Sequence, residues 1–386
     1  MFLQMHTLTS FHASLLNRDD AGLAKRIPFG DASRLRVSSQ CLKRHWREAL
    51  QQELDLPDGI RSREFFSRVI LPRLVEDKGI DDSLARGLIE TLMGKLITGG
   101  LDKENPLFMK QPALFGKPEA DFFVSLLAEC AGAEDEKAAK ALLEARIKTD
   151  KKGFKAMLKQ AGHGNLYAGF EGALFGRFVT SDILARSDAA VHVAHALSVH
   201  PVTTEVDYFT VVDDLSKDEE TGAAHAGDME LGSGLFYGYI AVDIPLLVSN
   251  FSSCEPQAWR EQDATDAKAV LRALLRAIAS VSPGAKLGAT APYSRADFVL
   301  FESGEQQPRS LANAYLQSLR FHEGNEPMQM AVDSLCEHLQ AIDGMYGATA
   351  DQRVAATTQK GDALVGIPVK PLDEAIHETL NAIFGD

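Results

Sequence analysis

The sequence predicts a mixed α+β fold, and three observations predict it. Residues 2–12 approach period-two alternation of β-favouring side chains, residues 60–160 read as helix after helix, and β-rich runs return beyond residue 200. A helical insertion into a sheet fits that order better than a continuation of the opening strand–loop–helix unit does.

Element by element, Phe-Leu-Gln-Met-His-Thr-Leu-Thr-Ser-Phe-His at 2–12 predicts a strand. From Ala13 to Val37 no period holds, and Pro28 and Gly30 punctuate what reads as a long loop. Ser38 or Ser39 is the expected N-cap of a helix reaching about Leu54, with Leu42, Trp46, Ala49 and Leu50 on its core face. Helices follow over Arg63–Val75, Asp82–Ile97, Glu119–Ala131 and Glu134–Ala161, divided by Gly and Pro. Strand-like text returns at Gly172–Val179, and a helix carrying His192, His195 and His200 is expected next. Glu205–Val212 and Leu235–Val248 read as strands around a polar stretch at 213–228. A helix over Gln262–Val281, a Pro283-Gly284 turn, a strand at Asp297–Phe301 and helices at 310–340 and 372–384 complete the chain. The alternation of strands and helices suggests a sheet related to the ferredoxin-like or RRM architecture, with elaborations.

The 386 residues are 45% hydrophobic and 24% charged, the balance of a globular chain able to bury a large core. No apolar run reaches the roughly 18 residues of a membrane span, and residues 1–16 lack the cationic start and apolar stretch of a secretory signal. The cytoplasm is therefore the expected compartment, with no membrane partner. Cys41, Cys130, Cys254 and Cys336 lie far apart and read as free, packed thiols.

A net charge of −14 argues against a polyanionic partner, but the distribution argues for one. Between Arg18 and Arg47 stand eight Lys/Arg against Asp19, Asp20 and Asp31, a local +5 that leaves −19 for the rest. Arg34, Arg36, Ser38, Ser39, Gln40, Lys43 and Arg44 offer cations, hydroxyls and an amide in series at a helix start, which suits the backbone of a single-stranded nucleic acid, RNA above all. A second basic patch, Arg146–Lys159, holds six Lys/Arg against Asp150; a solvated helix face would explain it equally. Tyr208, Phe209 and Thr210 could supply an aromatic surface for bases, and Arg177-Phe178 beside Gly176 a close backbone approach; both also fit ordinary half-buried strands. The three histidines read as structural. The doublets Asp19-Asp20 and Asp213-Asp214 are weak metal-site candidates, because adjacent side chains diverge. Walker A, Gly-x-Ser-x-Gly and zinc-deaminase patterns are absent.

Leu16-Asn-Arg-Asp-Asp20, Phe29-Gly30 and Arg36-Val-Ser-Ser-Gln-Cys-Leu-Lys-Arg44 resemble the CasC family, the backbone subunit of the type I-E CRISPR surveillance complex Cascade. Gly176-Arg177-Phe178, Ala194-His195-Ala196 through His200, Tyr208-Phe-Thr-Val-Val-Asp-Asp-Leu215, Ser233-Gly-Leu-Phe-Tyr237 and Pro283-Gly-Ala-Lys286 extend the match, which is weakest across 55–165 and beyond 320. The resemblance implies a hand-like α+β protein: a modified RRM/ferredoxin-like palm (1–55 and 166–386), helical fingers (56–165) and a β-hairpin thumb (201–235). It implies a non-catalytic subunit without metal or cofactor that binds CRISPR RNA, stacks head-to-tail with other copies, meets the other Cascade subunits and presents the guide to target DNA. Arg18, Arg36, Ser39, Gln40, Lys43, Arg44 and Lys286 would hold the guide backbone, with Arg34 and Arg47 in the same basic segment. Arg177 and Phe178 would lie beneath a kinked nucleotide, and Tyr208, Phe209 and Thr210 would belong to the thumb. Phe178 and Tyr208 stand where the family often has Met and Trp. Lys148, Lys151, Lys152 and Lys155 would sit on the fingers, near DNA. The alternative is a metal-dependent ribonuclease of a related effector, using Asp19/Asp20 or Asp213/Asp214.

Overall fold

The opening alternation forms a 13-residue strand, β1 (Phe2–Ser14), at the centre of a large sheet. The computed structural model describes residues 1–97, 100–149, 166, 168–177, 187–211, 225–252, 254–284 and 287–385. The other strands, in chain order, are β2 (Arg26–Phe29), β3 (Ala32–Val37), β4 (Gly59–Ser62), β5 (Ala113–Gly116), β6 (Val191–Val193), β7 (Ala196–Ser198), β8 (Thr204–Val211), β9 (His225–Asp243), β10 (Ala296–Gly304) and β11 (Gln352–Thr357). Two units divide the chain. One comprises Met1–Glu53, His192–Asp243 and Lys268–Asp386; the other comprises Leu54–Val191 and Ile244–Ala267, and so takes in more than the expected 56–165 block.

In the first unit the strands run β11-β10-β1-β9-β7-β3-β2, antiparallel along that path. Leu8, Tyr237, Phe298 and Leu300 line one sheet face and pack on Ala331, Val332, Leu335 and Leu339 of helix Pro327–Tyr346. Each such fully buried aliphatic side chain stabilises the fold by about 1.5–3 kcal/mol. Within this apolar face lies a closed polar network. His6 Nε2 meets Glu302 at 2.9 Å, Nδ1 meets the Tyr237 hydroxyl at 2.8 Å, and Arg309 and Arg353 donate to the same carboxylate. Burial lowers the His6 pKa even though Glu302 favours its charged form.

Helix Ser39–Glu53 buries Leu42, Trp46 and Leu50, the i, i+4, i+8 face that the sequence predicts. Strand β9 has 19 residues. Its second half pairs with β1, and its first half, His225–Gly232, pairs with β8 as a hairpin. The residues between the two strands, 212–224, lie outside the described set.

The second unit holds the short β4–β5 pair and helices Asp82–Leu96, Lys117–Ala131 and Glu136–Thr149. Phe65 stacks on Phe115 with ring centres 4.4 Å apart, and Phe66 and Phe123 close the aromatic cluster. The run predicted as helix Arg63–Val75 is wound as two π-helical turns, Phe66–Ile70 and Arg73–Asp77.

Several elements differ from expectation. The segment Ala13–Val37 is no continuous loop: β2 and β3 form a hairpin with Arg26 opposite Leu35 and Phe29 opposite Ala32. Pro28 and an exposed β2 hide the alternation, because β2 is an edge strand on this path and has no buried face. The turn needs Gly30, whose φ is +62° and where a Cβ would lie 1.7 Å from the Leu316 carbonyl oxygen. The run Val191–Ser198 forms two short strands and no helix, with Val191 buried and His192 exposed as a two-residue period demands. Gly169–Phe175 is a helix where Gly172–Val179 reads as a strand; its residues from Gly169 to Leu174 are buried, and packing overrides the poor helix propensity of glycine. The last unexpected strand is β11. The helix expected at 310–340 begins only at Pro327, after a short 3₁₀ turn at Ala312–Tyr315.

Candidate nucleic-acid interface

The basic segment is built from a closed loop, a strand and a helix start. Asn17 ties its ends together: its side-chain oxygen accepts from the Ser38 N–H (2.9 Å) and its carbonyl from the Lys25 N–H (2.9 Å). Asp19 closes the loop between them, its Oδ1 accepting from the N–H groups of Ala21 (2.9 Å) and Leu23 (3.0 Å). The Asp19 carboxylate is thus engaged in holding backbone, while Asp20 is exposed beside it. Arg18 pairs with Ala24 across the loop and leaves its side chain exposed.

From this loop the Arg36 N–H donates to the Lys25 carbonyl (2.9 Å), so β3 carries Arg36 past Lys25. Ser38 caps the helix, its hydroxyl accepting from the Cys41 N–H at 3.3 Å. Ser39 and Gln40 then stand at the first turn, their side chains 3.4 Å apart. Lys43 and Arg47 follow half-buried and one turn apart, while exposed Arg44 pairs with Glu48 at 2.8 Å. Burial raises the Cys41 thiol pKa, and the charges of Arg44 and Lys25 oppose the rise. The structure therefore draws Arg18, Arg36, Ser39, Gln40, Lys43, Arg44 and Arg47 into one run, and adds Lys25, which the charge count includes but the candidate set does not.

Arg34 does not join that run. Its side chain is wholly buried, donating to the carbonyls of Ser198 (3.0 Å) and Tyr315 (2.7 Å) and to Asp31 (3.3 Å), with the Phe29 ring 5.8 Å from its guanidinium carbon. An arginine committed to three internal acceptors is a brace between strands and the Tyr315–Ser318 segment; it is not available to a phosphate. Arg177, in the second unit, is likewise committed to an internal partner and not to solvent. It is buried, and its Nη1 donates to both oxygens of buried Glu119 at 2.7 Å, above the Phe115 ring. An i to i+2 Arg pattern reports a shared strand face, and cannot report what covers one end of it.

The β8–β9 hairpin is exposed along β8, where Val206 and Tyr208 are 63% and 64% accessible. Tyr208, Phe209 and Thr210 sit opposite Asp228, Gly227 and Ala226. Its base is fastened to the basic loop by Glu230, a buried carboxylate that accepts from the Ala24 N–H (2.7 Å) and pairs with Arg26. The Ser233 hydroxyl likewise accepts from the Ala13 N–H (2.8 Å). An isolated Glu in a polar strand gives no sign of this link in sequence.

The histidines separate. His200 is held within the first unit by the Pro201 carbonyl and the Leu235 N–H, whereas His195 is exposed and its Nδ1 lies 2.8 Å from Arg36 Nη1. Among the described residues no group of three His, Cys, Asp or Glu could hold a metal ion. Phe178, Lys286, Asp213, Asp214, Lys151, Lys152 and Lys155 lie outside the described residues, as does the side chain of Lys148. No helix among the described residues is long and apolar enough to cross a membrane.

A basic run on a loop, a strand and a helix start is thus joined through Glu230 to the β8–β9 hairpin within the first, sheet-based unit. The chain belongs to the CT1975-like protein family, whose profile matches residues 3–381. A solved chain of a "CRISPR RNA-guided surveillance complex, pre-nicking" superposes with a TM-score of 0.82 at 25% identity, over 100% of both chains. A second, from a "CRISPR RNA-guided surveillance complex", shares the fold with a TM-score of 0.61 at 21% identity, again over 100% of both. No curated protein matches the chain. The family and the first of these likenesses bear out the CasC resemblance and assign the chain a Cascade-type role.

Proposed function

We propose that the chain is a non-catalytic, CRISPR RNA-binding backbone subunit of a type I-E surveillance complex. The single observation that carries this reading is the run from Arg18 to Arg47, in which Lys25 and Arg36 have no carboxylate partner among the described residues. Arg18, Lys25, Arg36, Ser39, Gln40, Lys43, Arg44 and Arg47 hold the phosphodiester backbone, and base identity is left to pairing between guide and target DNA. The order β10-β1-β9-β7, with a helix between β1 and β7 and another between β9 and β10, supports an RRM-like palm. The exposed β8–β9 hairpin is the thumb, with Tyr208, Phe209 and Thr210 near the displaced nucleotide. The helices of the second unit are the fingers, and the patch around Lys148, Lys151, Lys152 and Lys155 meets DNA there. Phe178 and Lys286 are further proposed contacts of the guide. Copies stack head-to-tail along one RNA, a heterologous contact that leaves an open helical assembly for other Cascade subunits to end.

The test compares binding of two unrelated single-stranded RNAs across a salt series. Replacing Arg36, Lys43 and Arg44 with Ala lowers affinity equally for both RNAs and flattens the log–log salt slope by roughly 0.7 per lost contact. An unchanged slope, or a loss confined to one sequence, refutes the reading. Cleavage of RNA in magnesium, abolished by Asp19→Asn or Asp213→Asn, would instead establish the ribonuclease alternative.

A further inference from the structure

We propose that His195 is a positioning residue of the RNA track, acting through Arg36. The proposal rests on the RNA-binding reading above and concerns how one cation of the track is held ready. An arginine can only donate, so the 2.8 Å contact between Arg36 Nη1 and His195 Nδ1 requires an unprotonated Nδ1 that accepts. The imidazole proton then sits on Nε2.

Local structure fixes both partners. Arg36 lies opposite Leu197 in the β3–β7 register, two residues beyond His195. The Ala194 N–H donates to the Tyr239 carbonyl at 3.0 Å, which anchors the chain just before the histidine. Burial together with the nearby charges of Arg36 and Lys25 lowers the His195 pKa, consistent with the neutral ring that the contact needs. Arg36 Nε is buried and has no hydrogen-bond partner among the described residues. The guanidinium is thus gripped through Nη1 by a neutral acceptor, and no acid among the described residues neutralises it. A carboxylate in that place would also orient Arg36 but would cancel its charge. A neutral imidazole orients it and leaves the charge for a phosphodiester.

Holding one long side chain in its bound rotamer is worth about 0.5–1.5 kcal/mol, which corresponds to about two- to ten-fold in affinity. The experiment measures RNA affinity of the full chain for the wild type, His195→Ala, His195→Asn, Arg36→Ala and the His195→Ala/Arg36→Ala double variant. Thermal unfolding is followed in parallel. The proposal expects His195→Ala to weaken binding two- to ten-fold with an unchanged unfolding temperature. The double variant binds no more weakly than Arg36→Ala alone. His195→Asn, whose amide oxygen can take the place of Nδ1, retains most of the affinity. Additive losses in the double variant overturn the proposal, because His195 would then act independently of Arg36. So does full affinity in His195→Ala, or an Asn variant as weak as Ala. If Arg36→Ala itself has no effect on binding, the RNA-track reading fails as well; if Arg36→Ala weakens binding and His195→Ala does not, only the positioning role fails.

Discussion

Arg34 and Arg36 stand two residues apart on one strand, and the structure gives them opposite roles, so replacing each with Ala separates stability from binding. Arg34 donates to two buried carbonyls at 3.0 and 2.7 Å and to Asp31 at 3.3 Å from a side chain with no exposure. Hydrogen bonds from a charged donor contribute about 1.5–3 kcal/mol each. The two short ones alone set the loss for Arg34→Ala at about 3–6 kcal/mol in the first unit. Arg34→Lys recovers little, because one ammonium cannot reproduce the planar fork that reaches strand β7 and Tyr315 together. Arg36→Ala removes a single contact to exposed His195, and its stability cost stays within about 1 kcal/mol. Urea unfolding reads the difference through Trp46, which is buried in the same unit, in a Trp259→Phe background that removes the other tryptophan. RNA titrations over a salt series read the other half: Arg36→Ala flattens the slope by roughly 0.7 and Arg34→Ala leaves it unchanged under conditions where the unit is folded. An Arg34→Ala protein with wild-type unfolding and a flattened slope would refute the assignment of roles.

Two further outcomes follow from the buried ion pairs. Burial opposes ionisation of Glu302, but the hydrogen bonds and charges of Arg309 and His6 hold its carboxyl well below the usual range. Glu302→Gln therefore costs about 3–5 kcal/mol at neutral pH by taking the carboxylate from Arg309, while Arg353 keeps Asp343. A depressed folded pKa makes that stabilisation complete above about pH 4.5, the ordinary glutamate value. It is lost as pH falls further, so the urea midpoints of wild type and variant converge on acidification. In the second unit, Glu119→Ala strands buried Arg177 and costs about 3–5 kcal/mol there. The loss is visible in unfolding followed by Trp259, and RNA affinity measured at low temperature stays unchanged.

Much of the sheet and many of the helices were legible in the sequence, because long periodic segments such as Phe2–Ser14, Ser39–Glu53 and Leu372–Phe384 announce themselves. The short elements were not. β2 hides inside a basic run because an edge strand needs no apolar alternation, β3 because it buries Arg34 beside Leu35 and so breaks the period, and Val191–Ser198 offers too few residues to separate a period of two from one of 3.6. The candidate interface was legible as a charge excess, which correctly marks a segment and says nothing of each side chain's surroundings. Thus Arg34 and Arg177 look like surface cations in sequence, yet Tyr315 and Glu119, 281 and 58 residues away, claim them. Lys25, His195 and Glu230 gain their places only from contacts across the fold.

The most direct test of the account is photo-crosslinking of the RNA-bound chain, using RNA with 4-thiouridine distributed along its length and peptide mapping of the adducts. The account predicts crosslinks on the loop, strand and helix between Asn17 and Arg47 and on the β8–β9 hairpin around Tyr208, at the same peptides whichever RNA sequence is used. Adducts confined to other segments, with residues 17–47 unlabelled, would contradict it.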